Sequence, residues 1–267
     1  MISTLDDLNS TLMTDIGTVS TSHSNGIATI TFFHPQSNSL PGALLRKLAA
    51  QIETEGKNPE VKVIVLRSLG AKAFCAGASF DELISIQTIE EGKKFFSGFA
   101  MVINAMRRAP KFVLVGVQGK AVGGGVGIAC SGDYTFATTE AAVKLSELAV
   151  GIGPFVVGPA VERKIGTSAF CQLTIAATEW QTAQWAREKG MYMDVFADIP
   201  QMENALNALA EKLALSNPEA MKMLKKVMWH ETEHWDTLLI ERAEMSGKLV
   251  LSDFTRKAIN KFKEKAK

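Results

Sequence analysis

At 267 residues, 46% hydrophobic and 21% charged, the chain can bury a substantial core as one large domain, and wholesale disorder is excluded. Twenty-nine Lys and Arg against 28 Asp and Glu leave a net charge of +1, which argues against a basic nucleic-acid-binding surface. No apolar run reaches membrane-spanning length, Cys75, Cys130 and Cys171 show no C-x-x-C spacing, and residues 1–16 carry three Asp without Lys or Arg; the expectation is a reduced, cytoplasmic protein with no membrane partner.

Residues 1–16 read as a polar N-terminal extension. Thr18–Ser22 and Ile27–Phe33 are β-rich around the turn signal Asn25-Gly26, which predicts a hairpin. His34-Pro35 ends it, and QSNSL (Gln36–Leu40) is a polar loop. Pro41 suits the first turn of a helix reaching about Glu55, with Leu44, Leu45, Leu48 and Ile52 on one face. Val61–Arg67 is apolar enough for a strand covered on both sides. Ser68–Asp81 reads as a loop of small residues, Thr88–Arg108 as a long helix and Phe112–Val117 as a strand. Asp133–Ala137, Ala142–Leu145 and Tyr192–Val195 are short strands. Gly158–Ile165, Ser168–Ala176 and Thr182–Lys189 are short helices, followed by Pro200–Leu215, Pro218–Trp229 and a region over about Asp236–Lys265. Strands alternating with helices, then helices alone, make the class α/β with a helical C-terminal part. The boundaries are 17–199 for the core and 200–267 for the helical region.

Between Phe112–Gln118 and the apolar start of a buried helix, Val126–Cys130, stand Gly123, Gly124 and Gly125. Glycines at a strand-to-helix turn let a ligand reach the free N–H groups of a helix N-terminus. Dinucleotide and phosphate readings fail: from Gly123 the third position of G-x-G-x-x-G falls on Ile128, and no G-K-S/T follows. An oxyanion that forms during a reaction fits instead. The loop AFCAGASFDE (Ala73–Glu82) offers a second amide, at Ala78 after Gly77, to pair with that of Gly124.

Four stretches in order, HPQSNSL, AFCAGASFDEL, GKAVGGGVGIACSGDYTFA and KLSELAVGIGP, resemble the crotonase superfamily, also called the enoyl-CoA hydratase/isomerase family. The resemblance covers about Gly17 to Gly166 and implies a crotonase-like spiral of ββα units. It further implies a homotrimer or dimer of trimers, with the C-terminal region serving trimerisation. The substrate would be an acyl-CoA thioester, with CoA as its carrier and no separate cofactor. Its carbonyl would sit between the amides of Ala78 and Gly124. Gln36, Ser37, Asn38, Ser39, Phe74, Ala76, Gly77, Ser79, Phe80 and Gly123 would line the substrate and CoA. Ser79 stands where the family often has Asp.

Hydratases of the family use two glutamates around one water. The first position falls at Gly127 and is empty; the second is Glu147. GGGVG, Ser146-Glu147 and GIGPFVV also resemble a bacterial branch associated with methylglutaconyl-CoA hydration in leucine breakdown, which places a hydratase first. A 1,3-shift of a double bond needs one base only, so a delta-isomerase using Glu147 alone is the alternative. Phe155, Val156 and Val157 follow Glu147 closely enough to shape an acyl pocket. A non-catalytic acyl-CoA binder is a reading of another class. So is a zinc hydrolase, because His230-Glu231-Thr232-Glu233-His234 matches H-E-x-x-H, which on a helix sets two imidazoles on one face. With no clear third ligand, no metal is assigned. Cys75 reads as a small buried residue rather than a nucleophile.

Overall fold

The computed structural model describes residues 17–265; the extension read over 1–16 lies outside them. β1 (Thr18–Ser24) and β2 (Ile27–Phe33) pair antiparallel through a two-residue turn. Asn25 and Gly26 both take positive φ there, as the right-handed twist of a tight hairpin requires. α1 (Gly42–Lys57) follows Pro41 and buries the Leu44, Leu45, Leu48 and Ile52 stripe.

Three turns of a spiral come next. β3 (Val63–Ser68) leads to β4 (Ala73–Cys75), α2 (Phe80–Ser85) and α3 (Ile89–Arg108). β5 (Phe112–Val117) leads to β6 (Lys120–Val122) and α4 (Gly124–Ser131). β7 (Tyr134–Thr138) leads to β8 (Val143–Lys144), a 3-10 turn over Glu147–Val150 and α5 (Gly158–Ile175). The first strand of each turn enters one sheet, ordered β1-β2-β3-β5-β7-β9, and the second enters another, ordered β4-β6-β8. All pairings except β1–β2 are parallel. This is the crotonase-like α/β spiral that the motif order implies.

α6 (Ala183–Glu188) precedes β9 (Asp194–Phe196), and α7 (Ile199–Ala214), α8 (Pro218–Met228), α9 (Trp235–Leu249) and α10 (Asp253–Lys265) complete the described chain. Gly166, at φ 77° and ψ 160°, breaks α5 into the two helices expected from the sequence. The loop read over Ser68–Asp81 instead contains β4 and the start of α2. A three-residue strand has no periodicity to detect; its pairing with β6 creates it.

Alternate residues along the large sheet face two cores. Ile64, Leu66, Val113 and Val115 point to the main core with α1 and α3. Val63, Val65, Leu114 and Phe136 meet Met202, Leu206 and Ala210 of α7. α7 therefore packs as part of the core, on the far side of the boundary expected at residue 200. α3 starts on a Thr88/Glu91 capping box. It crosses α9 at bare backbone: a Cβ on Gly92 would stand 2.6 Å from the Cα of Gly247.

One buried ion pair anchors α8 beneath the sheet. Lys225 Nζ donates to Asp133 Oδ2 at 2.7 Å and to the carbonyls of Met106 (2.8 Å) and Lys111 (3.1 Å). Asp133 also accepts the Val113 amide and the Trp229 indole N–H, each at 2.7 Å. Both side chains are 3% exposed, so removing either strands the other charge out of water. Lys225→Met is expected to cost about 3 kcal/mol or more in denaturant unfolding, and the Lys225→Met/Asp133→Asn pair much less than the sum of its singles. A loss under about 1 kcal/mol for Lys225→Met would refute the anchoring role.

Candidate active site

The glycine turn sits where β6 hands over to α4. Gly123, the N-cap, has φ 53°, and its amide donates to the Lys144 carbonyl at 2.9 Å, tying the turn to β8. The second loop is splinted to the polar segment after β2. The amides of Ala76 and Leu40 donate to the carbonyls of Ser37 (3.2 Å) and Gly77 (2.8 Å), and the Ser79 amide donates to the Leu40 carbonyl (3.1 Å). In that parallel bridge between Leu40 and Ala78 the flanking residues make the bonds, so the Ala78 N–H faces away from it. Gly77 takes φ 93°, and a Cβ there would stand 3.9 Å from the Gly124 nitrogen. The two loops therefore meet backbone to backbone. Among the described residues no backbone acceptor takes up the N–H of Ala78 or Gly124. Both residues line one cavity of about 400 Å³.

Glu147 opens the 3-10 turn on the same cavity. Its Oε2 is buried and has no hydrogen-bond partner, and Oε1 lies so close to the glycine turn that a Cβ on Gly123 would stand 2.9 Å from it. Burial disfavours the charged form and pushes its pKa from 4.5 up to about 7. The turn is clamped from behind by α10. Thr255, fully buried, donates through Oγ1 to the Gly151 carbonyl at 3.1 Å, and the Gly151 amide closes back on Leu148. Ile259 of α10 packs with Ile86, Phe95 and Ile152 beside it.

The position of the missing glutamate is closed. A Cβ on Gly127 would stand 2.5 Å from Val157 Cγ1, with Ile103 next at 3.6 Å. Val157 fills the place with methyl groups, so the cavity keeps one carboxylate there. Phe155, Val156 and Val157 do line the cavity, as their adjacency to Glu147 suggests.

The other sequence-derived positions divide. Ala76, Gly77, Phe80 and Gly123 line the cavity; Ser37 and Ala76 line an adjoining cleft of about 410 Å³. Gln36, Asn38, Ser39, Phe74 and Ser79 line neither among the described residues. Phe74 is a core residue, 0% exposed, its ring 5.4 Å from that of Phe32. Asn38 is buried and holds the loop together: its Oδ1 accepts the His34 amide and its Nδ2 donates to the Leu69 and Ala73 carbonyls. Ser39 donates to the Ala78 carbonyl, and Ser79 caps α2 by accepting the Glu82 amide. Gln36 reaches Asp81 on the surface. These side chains build the loop that presents Ala78. Cys75 is buried, and desolvation lifts its thiol to about 12, which suits packing rather than nucleophilic attack.

Sequence reasoning missed the mouth. Trp180, set beside β8 by the bridge between Gln181 and Val143, lines both the cavity and the cleft. Lys144 Nζ lies 4.5 Å and Lys120 Nζ 5.1 Å from its ring centre, and Lys72 shares the cleft. No local signal marks a lone tryptophan in a loop. The aromatic wall of Phe95, Phe96 and Phe99 did leave one: three phenylalanines in five helical residues exceed what one buried stripe needs.

The H-E-x-x-H segment loses its helix. α8 ends at Met228, Glu231 sits at φ 61°, and α9 begins at Trp235, so His230 and His234 occupy a turn. The His230 ring binds the Val227 carbonyl. Among the described residues no three His, Cys, Asp or Glu cluster as metal ligands.

The model of a family described as enoyl-CoA hydratase/isomerase matches residues 22–267. The short-chain-enoyl-CoA hydratase of Clostridium acetobutylicum is 28% identical over 244 residues, spanning 90% of this chain and 92% of its own. A peroxisomal Delta(3,5)-Delta(2,4)-dienoyl-CoA isomerase of Arabidopsis thaliana is 24% identical over 192 residues, 66% of this chain and 67% of its own. The crystal structure of an enoyl-CoA hydratase from Bacillus halodurans superposes with a TM-score of 0.84 at 19% identity, over 91% of this chain and 99% of that one.

An acid whose pKa is higher folded than unfolded keeps its proton in the native state from pH 4.5 to about 7. Stability contributed by that neutral form is full below the window, falls as pH rises through it, and levels off above. Glu147→Gln removes the dependence. Relative to the native protein it is expected to gain about 2–3 kcal/mol between pH 5 and 7.5 in parallel unfolding titrations. A difference that stays flat with pH would show that Glu147 is not desolvated.

Proposed function

Because the chain belongs to the enoyl-CoA hydratase/isomerase family, we propose that it moves a proton on an enoyl-CoA thioester, with Glu147 as the acid–base group. The observation that carries this reading is the unpartnered, buried carboxylate of Glu147 on the cavity lined by Ala78 and Gly124. The thioester oxygen accepts the N–H groups of Ala78 and Gly124. Glu147 takes a proton from the α-carbon, and the electron pair moves into the carbonyl to give a dienolate. Two preorganised amides stabilise that charge in a largely apolar cavity. The protonated carboxyl returns the proton at the γ-carbon, the carbonyl re-forms, and a 3-enoyl-CoA becomes a 2-enoyl-CoA. A pKa near 7 suits a group that must serve as base and then as acid.

Isomerisation is placed ahead of hydration, reversing the order suggested by the sequence, because Val157 closes the position from which a second glutamate would hold water. Hydration is the second reading. The likeness to the Clostridium hydratase favours it, with Glu147 alone deprotonating the water and supplying the proton. In either case Lys72, Lys120, Lys144 and Trp180 at the mouth suit the phosphates and base of CoA. A homotrimer or dimer of trimers is part of the proposal. The exposed Met223, Leu224 and Val227 of α8 support self-association.

Incubation with 3-enoyl-CoA in heavy-oxygen water is expected to yield unlabelled 2-enoyl-CoA; label in a 3-hydroxyacyl product would transfer the assignment to hydration. Glu147→Gln should lower kcat about 10²- to 10⁴-fold while KM moves little. In the native enzyme kcat/KM should rise with pH to a plateau above about 7. Full activity in Glu147→Gln would sink the mechanism, and acyl-CoA binding with no turnover of any enoyl-CoA would make the protein a binder.

A further inference from the structure

The walls of the cavity say what kind of acyl group it takes. Its interior is built by Phe80, Leu83, Phe95, Phe96, Phe99 and Phe155, with the backbone of Gly153 pressed under the Phe155 ring. Among the described lining residues, two side chains are charged: Lys144 and Glu147. Lys144 belongs to the mouth, where its ammonium lies over Trp180, a residue shared with the lysine-bearing cleft. Glu147 stands inside, and its Oε2 is already without a partner.

We infer that the acyl group of the substrate is an uncharged hydrocarbon chain, and that dicarboxylic acyl groups are excluded by the cavity. The inference rests on the acyl-CoA reading of this site. A carboxylate at the far end of the acyl chain would be carried in among phenylalanine rings. It would leave water, meet no cation among the described lining residues other than Lys144 at the mouth, and share the space with Glu147. Each circumstance disfavours the charged form, and neutralising the carboxylate by protonation costs more the further the working pH lies above its ordinary pKa. A hydrocarbon tail meets the opposite balance, because every methylene placed against the rings leaves water for an apolar contact. The carboxylated, methylglutaconyl-like substrate suggested by the loop motifs is the kind that this wall rejects. Of those motifs GIGPFVV reaches the acyl end, where it supplies Phe155; the rest of the wall comes from Phe80 and Leu83 of α2 and Phe95, Phe96 and Phe99 of α3.

The test compares two saturated six-carbon thioesters, hexanoyl-CoA and adipyl-CoA, which differ in the terminal carboxylate and cannot be turned over as enoyl substrates. Their dissociation constants are measured by calorimetry on the full-length native protein at pH 7.5, beside an assay of 3-enoyl-CoA turnover. Hexanoyl-CoA is expected to bind at least tenfold more tightly than adipyl-CoA. Any smaller ratio, or a reversed one, overturns the inference; Glu147-dependent turnover in that case leaves the enzymatic reading in place. A tenfold preference without turnover upholds the inference and removes the enzymatic reading. Binding of neither compound overturns the inference, and the absence of turnover beside it overturns the enzymatic reading too.

Discussion

The space around the glycines at the start of α4 is the constraint on which the rest of the site depends. A Cβ at Gly124 would stand 2.2 Å from the Phe99 ring, at Gly125 2.5 Å from the Cys75 carbonyl, at Gly123 2.9 Å from the Glu147 carboxylate, and at Gly127 2.5 Å from Val157. Those four neighbours come from α3, β4, the 3-10 turn and the segment before α5. Each leans on bare backbone, so the glycines set how closely four segments of the spiral approach. The packing that brings Glu147 near the glycine turn also leaves the α4 N-terminal amide facing the cavity. Interiors are close-packed, and a displacement on one side of such a junction is felt on the others.

The desolvation of Glu147 is the energetic counterpart. Phenylalanines and valines around the cavity make its ionised form costly, and the same apolar lining would strengthen the hydrogen bonds that the proposed mechanism asks of the Ala78 and Gly124 amides. Stability and chemistry therefore pull in opposite directions at this residue. A neutral side chain would suit the fold better above neutral pH, and an ionisable one is what the proposed proton transfer requires. The Lys225–Asp133 pair is the contrasting case, a buried charge on each side that finds hydrogen-bond partners.

Much of the architecture is legible in the residues because long elements carry periodic patterns. The stripes of α1 and α3, the Asn25-Gly26 turn and the two-faced apolar strand β3 are local signals that tertiary packing only deepens. β4, β6 and α2 are not legible. Two or three residues become a strand when neighbours supply hydrogen bonds, and α2 is fixed by the Ser79 cap within a loop of small residues. The placement of Ala78, Gly124 and Glu147 on one cavity was readable from motif order. The roles of Phe74, Asn38, Ser39 and Ser79 were not, since a side chain that supports a loop and one that touches a ligand look alike in a motif. The H-E-x-x-H match failed for a related reason: α8 stops at Met228, two residues before the match begins, and α9 starts only after it ends. Trp180 left no trace in the pattern at all.

The Thr255–Gly151 hydrogen bond joins residues 104 positions apart in the chain. The turn bearing Glu147 is synthesised long before the helix that clamps it. On a ribosome the spiral, its glycine turn and the presentation of Ala78 can therefore all precede the closing of the turn around the carboxylate. A nascent chain that has reached α9 carries every segment that meets at the glycines but not yet Thr255 and Ile259, so the contact that holds the turn at Gly151 is among the last the chain can make.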